Sequence, residues 1–362
     1  MLSPPLENSR VVAPPAPIER SGRFDFIDAA KAIGIVLVVL GHAPGAPSGV
    51  VTLIYSLHMP LFFFLSGFLM SPARADAPLR TTIVRTGRAL LVPYAFFFAV
   101  SLVYWLATRD LGARAAKFAG LQTSDALHGV VTGLSGELFI NPVLWFFPCL
   151  FVCQLLYAVV RRVFDARGAL AVLAVFALAL LAFTLPWTLR WPWGLDIAWI
   201  AAVFYAAGHW WRVSGWSPRL SGPAEWLAAV VVIAAWLAMA GTQGRVDLAQ
   251  ANFGNLPLLF VPCAAAGIVL VLAAARSLPA SGALRWLSDN SLVIFPLHPL
   301  LINAASGAAK GLGAGPYGPL AWVLLSAWAL AACVPIAWML RRFVPEVLGA
   351  PRLALTTSRG AA

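Results

Sequence analysis

Charge is what this chain most lacks. Only 11% of its 362 residues are Asp, Glu, Lys or Arg, where a soluble globular domain carries about 25%. Hydrophobic residues make up 61%. That imbalance excludes a pair of ordinary soluble domains, which would have no polar surface to cover their cores. Cysteine is scarce too. Cys149, Cys153, Cys263 and Cys333 all lie inside apolar runs. Cys149 and Cys153 share a helix face at their four-residue spacing, but no histidine or further cysteine stands near them. The pattern excludes the usual zinc-ligand spacings and reads as small apolar packing.

What the chain has instead is repeated apolar stretches near the length of about 20 residues that crosses a bilayer. They fall at 26–43, 50–70, 89–107, 143–160, 168–186, 196–211, 224–241, 256–275, 291–308 and 319–340. The segments 143–160 and 196–211 are short for a full span, and 126–142 reads as a re-entrant or surface helix. The expected fold is an all-α polytopic transmembrane helical bundle of about ten spans with both termini cytoplasmic. Residues 1–22 are polar and rich in proline (Pro4, Pro5, Pro14, Pro15, Pro17) and read as a disordered cytoplasmic tail. Residues 23–345 form the membrane unit, and 346–362 a second cytoplasmic tail. The first apolar run begins only after Arg23 and contains Lys31, so it does not read as a cleavable signal.

The net charge of +11 is explained by topology rather than by nucleic acid. With the N-terminus inside, 18 of the 25 basic residues fall in the cytoplasmic set of loops and six in the other, with Lys31 inside a helix. Three to one is a positive-inside signal. Trp187, Trp191 and Trp193 in an outer loop fit an interfacial aromatic belt.

Ionisable residues within spans mark function by default. Lys31 and His42 stand eleven residues apart on the first helix, which is three turns plus about 20° and roughly 16 Å along the axis. They therefore share a stripe, the lysine near the cytoplasmic end and the imidazole near the outer end. Either they line a polar path, or the lysine snorkels and the histidine sits at the interface. Asp28 is a helix-surface neighbour of Lys31, and Asp25 fits a structural role. His58 lies mid-span two residues before Pro60, where it serves a carbonyl freed by the proline or faces the same cavity as His42. Ser66 and Gly67 are small enough for close helix contact. Arg85 and Arg88, one turn apart at the cytoplasmic mouth of the third span, suit bidentate phosphate contacts and equally suit topology. Glu137 lies in an apolar context near the outer surface, where it binds a hydroxylated substrate, orients a histidine or sits in water. His298 stands between Pro296 and Pro299, while His128 and His209 read as helix-end residues. Buried histidines plus a lysine suit acyl chemistry and proton-coupled transport alike.

Three blocks carry a family likeness: Arg23-Phe-Asp25-Phe-Ile-Asp28 through Gly41-His42, Leu57-His58-Met-Pro60 through Ser66-Gly67, and Arg85-Thr-Gly-Arg88 through Pro93-Tyr94. Weaker echoes are Leu144-Trp145-Phe-Phe-Pro148 and Asn290-Ser291-Leu through His298. On these the chain resembles acyltransferase family 3, and within it the fucose 4-O-acetylase-like branch. The family pattern of a basic residue, ten others and a histidine matches Lys31 and His42. Members often carry arginine at the first place, so Lys31 keeps the charge and loses the planar fork. The paired-arginine motif matches Arg85 and Arg88.

The resemblance implies transfer of an acyl group, usually acetyl, from cytoplasmic coenzyme A to a hydroxyl of a sugar, lipid-linked glycan or cell-surface glycan, in a bacterial cytoplasmic (inner) membrane. His42 is then the general base, or carries a transient acyl-imidazole. His58 and Glu137 orient the acceptor or His42 and complete the expected catalytic set. Lys31, Arg85 and Arg88 bind acyl-CoA, Asp28 and His298 are orienting residues, and no metal is expected. A homo-oligomer is left open. The alternative expectation is a proton-coupled transporter or flippase for a glycolipid or small acid.

Overall fold

The structure, a computed structural model, describes residues 25–164, 169–183, 189–215, 222–315 and 317–348. The expected tail 1–22, Arg23 and most of 346–362 lie outside the described residues, as do Trp187, Arg167 and Arg219. The described residues are mostly helical. The main elements are α1 (Asp25–His42), α2 (Ser48–Tyr55), α3 (His58–Phe68), α4 (Leu79–Thr108), α5 (Thr123–Thr132), α6 (Phe146–Val163) and α7 (Ala169–Ala182). They continue as α8 (Leu195–Ser214), α9 (Pro223–Gln243), α10 (Phe260–Ser277), α11 (Gly282–Asp289), α12 (Ser291–Gly311) and α13 (Pro319–Phe343).

Among the described residues, each of the ten apolar stretches is mostly helical. Seven helical stretches among the described residues are long and apolar enough to cross a membrane: Ser48–Phe68, Leu79–Thr108, Pro142–Val163, Pro223–Gln243, Pro257–Ser277, Ser291–Gly311 and Pro319–Phe343. The other three fall short for visible reasons. α1 carries Asp25, Asp28 and Lys31. α7 has 14 residues, which reach about 21 Å against a hydrocarbon core of about 30 Å. α8 carries Asp196, His209 and Arg212. The third stretch begins ten residues before its apolar run, because Leu79–Ala89 is helical despite Arg80, Arg85 and Arg88. The region 126–142 contains only the ten-residue α5, too short for a span. Residues 345–348, across the start of the expected second tail, form a short 3-10 turn.

α1 is the hub. Ile27, Ala30, Ile35, Val38 and Val39 are buried, and the helix packs against α3, α10, α11, α12 and α13. Asp28 accepts the Ser288 hydroxyl at 2.6 Å and so fastens α1 to α11, while Asp25 pairs with Arg285 at 3.5 Å. The tightest crossing joins α3 and α8. A Cβ added at Gly67 would overlap the Tyr205 carbonyl, and one at Gly208 the Phe64 carbonyl. In a bilayer, helices associate through such close van der Waals contact rather than through hydrophobic burial.

Candidate active site

The C-terminal end of α1 meets α2, α3 and α12 around a cluster of imidazoles. The rings of His42 and His298 stand 4.9 Å apart, and those of His42 and His58 6.4 Å apart. Tyr55 lies 4.8 Å from His58 and 5.9 Å from His42. His58 and His298 are buried and His42 is half-buried.

Local sequence explains how these rings are held. The 48–68 stretch breaks between α2 and α3 at Ser56-Leu57, with Pro60 in the first turn of α3, where a missing N–H is tolerated. His58 Nδ1 donates to the Ile54 carbonyl at 2.9 Å, across the break. In α12, Pro299 offers no N–H to the carbonyl of Phe295. His298 Nδ1 fills that place, donating to Phe295 O at 2.7 Å and lying 3.2 Å from Ile294 O. The next carbonyl, Pro296 O, accepts Asn141 Nδ2 at 2.8 Å. His42 Nδ1 donates to Val38 O at 2.8 Å, one turn back on α1.

The three histidines thus share one tautomeric logic. A backbone carbonyl only accepts, so each Nδ1 carries the hydrogen and each neutral ring keeps its lone pair on Nε2. His298 Nε2 is buried with no hydrogen-bond partner among the described residues.

A cavity of about 220 Å³ opens against this cluster. His42, Tyr55 and His58 line it from the helices. Ser135, Asp247 and Gln250 line it from two loops, and Trp145 and Phe295 supply apolar wall. Arg245 places its guanidinium 4.6 Å from the Tyr55 ring centre. Asp247 caps a 3-10 turn by accepting Ala249 N–H at 3.1 Å. Burial pushes its carboxyl above the usual carboxylate range, with Arg245, the Ala249 and Gln250 N–H groups and His42 pulling the other way.

The site residues expected from sequence separate into groups. His42, His58 and His298 converge. Glu137 does not join them. It is absent from the cavity lining, and its carboxylate accepts the Thr132 hydroxyl at 2.5 Å and pairs with His128 at 3.3 Å. The histidine it contacts is thus His128 of α5 and not one of the three at the cavity. Arg85 and Arg88 line an open groove of about 580 Å³ along the first turns of α4, together with Arg80. Lys31 is half-buried on α1, toward its N-terminal end. Asp28 holds Ser288, away from the imidazoles. Among the described residues, no three His, Cys, Asp or Glu side chains are grouped as metal ligands.

Tyr55, Ser135, Arg245, Asp247 and Gln250 escaped the sequence reading. The signal for the last three was a cluster of polar and charged residues, Gly244-Arg245-Val-Asp247-Leu-Ala-Gln250, in a chain that otherwise spends charge sparingly.

A bare imidazole nitrogen beside a small, partly apolar cavity is the equipment for removing a proton from a hydroxyl. Comparison with known proteins agrees with that chemistry. No curated protein and no solved structure matches the chain. The model of the acyltransferase domain of family 3 matches residues 24–341, and the chain, a multi-pass membrane protein, therefore belongs to acyltransferase family 3.

Proposed function

We propose that this membrane acyltransferase moves a short acyl group, acetyl in the first instance, from coenzyme A on the cytoplasmic side to a hydroxyl of a sugar or cell-surface glycan in the His42 cavity. The observation that carries the reading is the fixed tautomer of His42. Its Nδ1–H is tied to Val38 O, and its ring borders the cavity, so Nε2 is the nitrogen left to act as base.

The reaction then runs in one displacement. His42 Nε2 takes the proton of the acceptor hydroxyl as the oxygen attacks the thioester carbonyl. The C–S bond breaks as the ester C–O bond closes. The departing thiolate takes the proton back from His42, and free coenzyme A leaves. His58, held by Ile54 O, orients the acceptor through its own Nε2. His298 packs behind His42 and fixes the ring.

Lys31, Arg85 and Arg88 receive the coenzyme A phosphates, arginine being suited to bidentate phosphate contact. The groove at Arg85 and Arg88 supports this, as does the separation of roughly 16 Å between Lys31 and His42 on one helix, which an extended pantetheine arm spans. The charge distribution supports ten spans, counting α1, α7 and α8, with both termini cytoplasmic, in a bacterial inner membrane. The likeness to the fucose 4-O-acetylase-like branch supports a sugar as acceptor.

The test is acyl transfer by the purified full-length chain in proteoliposomes, with acetyl-CoA supplied on one side at a time. Thiol release that requires coenzyme A on the face bearing Arg85, and that is lost in His42→Ala, supports the reading. Release of equal size in the wild type and His42→Ala contradicts it.

A further inference from the structure

The loop between α9 and α10 contributes Asp247, Leu248, Ala249 and Gln250 to the cavity lining, and none of them is part of the base or of the phosphate groove. It is a fixed wall. Asp247 and Asn252 exchange backbone hydrogen bonds at 2.8 and 2.9 Å. Gln243 Nε2 donates to Phe253 O at 2.7 Å, and Arg190 Nη2 donates to Ala249 O at 3.3 Å. Val246 and Leu248 are buried beneath it. Gln250 Nε2 donates to Ser135 Oγ at 3.3 Å, tying the loop to the other wall.

This rigid loop presents a carboxylate and a carboxamide three residues apart to the same space as the His42 ring. Ala249 N–H occupies one site on Asp247 Oδ1, the Gln250 N–H and the Arg245 charge also bear on this carboxyl, and a carboxylate has about four such sites in all, so acceptor capacity remains. The bond to Ser135 uses one hydrogen of the Gln250 amide and leaves its oxygen to accept. Both groups therefore seek hydrogen-bond donors in the cavity. The acyl thioester offers none, since its carbonyl oxygen and sulfur only accept, and a carboxylate beside them is repulsive. The pantetheine arm carries its amide N–H groups beyond the sulfur, so that at the acyl carbon itself the donors are the acceptor's hydroxyls. An acceptor with a single hydroxyl gives that hydroxyl to His42 and has nothing left for the loop. One with neighbouring hydroxyls serves both. At about 220 Å³ the cavity lies below the usual range of 300–1,000 Å³ for drug-sized ligands, which fits one ring rather than a chain of them.

We infer that Asp247 and Gln250 are the specificity-determining residues for the acceptor, binding hydroxyls that neighbour the one acylated and so selecting a single polyhydroxylated ring over a simple alcohol. This assignment rests on the acyltransferase reading above. Its competitor is local: Asp247 as a cap for its own turn and Gln250 as a strut to Ser135.

The experiment compares two acceptors in nanodiscs with acetyl-CoA as donor, a panel of methyl hexopyranosides and n-butanol. The readout is the ratio of kcat/KM for the best glycoside to kcat/KM for butanol, which cancels any general loss of activity or of folded protein. The wild type favours the glycoside. Asp247→Asn, which keeps a good capping residue, and Gln250→Ala each lower the ratio by about tenfold or more, the size expected for losing a hydrogen bond made to or by a charged or buried group. A ratio within twofold of wild type in both variants, or a wild type with no preference for glycosides, overturns the assignment. Thiol release driven by the better of the two acceptor classes, measured alongside in the wild type, separates the failures. With release present, an unchanged ratio overturns this assignment alone. With release absent, the acyltransferase reading falls and takes the assignment with it.

Discussion

His298 gives its Nδ1 hydrogen to the carbonyl of Phe295 at 2.7 Å, the one acceptor in α12 that Pro299 leaves without an N–H. A missing rung in the helix ladder and an oriented imidazole are thereby the same feature. The proline breaks the ladder, the histidine repairs it, and the repair aims the ring at His42, 4.9 Å away.

Removing that repair exposes its worth. His298→Ala leaves the Phe295 carbonyl unpaired in a buried setting, at a cost of about 1–3 kcal/mol. A thermal-shift assay in detergent is expected to show a lower midpoint for His298→Ala. His298→Gln, which retains a donor, is expected to fall between it and wild type. Equal midpoints for all three proteins would show that the bond carries no stability.

Gly67 and Gly208 make a second, purely steric prediction. Their reciprocal contact leaves no room for a methyl group on either helix, and the obstacle in each case is backbone, which does not swing aside. Gly67→Ala or Gly208→Ala is expected to lower the yield of folded protein on size-exclusion chromatography. Gly49→Ala, at a position with open space around it, is expected to leave it unchanged.

Asp247 predicts a pH dependence. Burial raises its carboxyl in the folded protein, so the folded state holds this proton more tightly than the unfolded state does. The ionised group then costs stability above the raised value, and the cost disappears as pH falls through it. Asp247→Asn is expected to melt higher than wild type at neutral pH, with the gap closing as pH is lowered into the carboxylate range. A gap that widens on acidification would reverse the sign and the argument.

Much of this was legible in the sequence, and particular residues show where legibility ends. Apolar stretches of spanning length give the helices directly, because the bilayer enforces their length and composition. His42 stood out because an ionisable group in a span is expensive. His58 was read as either a partner for a carbonyl freed by Pro60 or a member of the His42 cavity; it lines that cavity, and the carbonyl it holds is Ile54 O, six residues before the proline and not the one the proline frees. Glu137 looked like a partner for these histidines by apolar context alone. Its neighbours His128 and Thr132, nine and five residues earlier in the chain, claim it through the fold of the loop. Asp247 lies 205 residues from His42, and no local pattern announces a meeting that depends on where two loops close.

The account's central claim is that chemistry resides on His42 and donor binding on Arg85. The measurement that tests it most directly is made on the purified full-length chain: acetyl-CoA binding by calorimetry and thiol release by absorbance, in wild type, His42→Ala and Arg85→Ala. The account predicts that His42→Ala binds acetyl-CoA within about threefold of wild type while its thiol release falls by about 10²–10⁴-fold, the worth of a general base. It predicts that Arg85→Ala weakens binding by about tenfold or more and recovers much of its release rate at saturating donor. Binding lost in His42→Ala with release intact, or three proteins that behave alike, would contradict it.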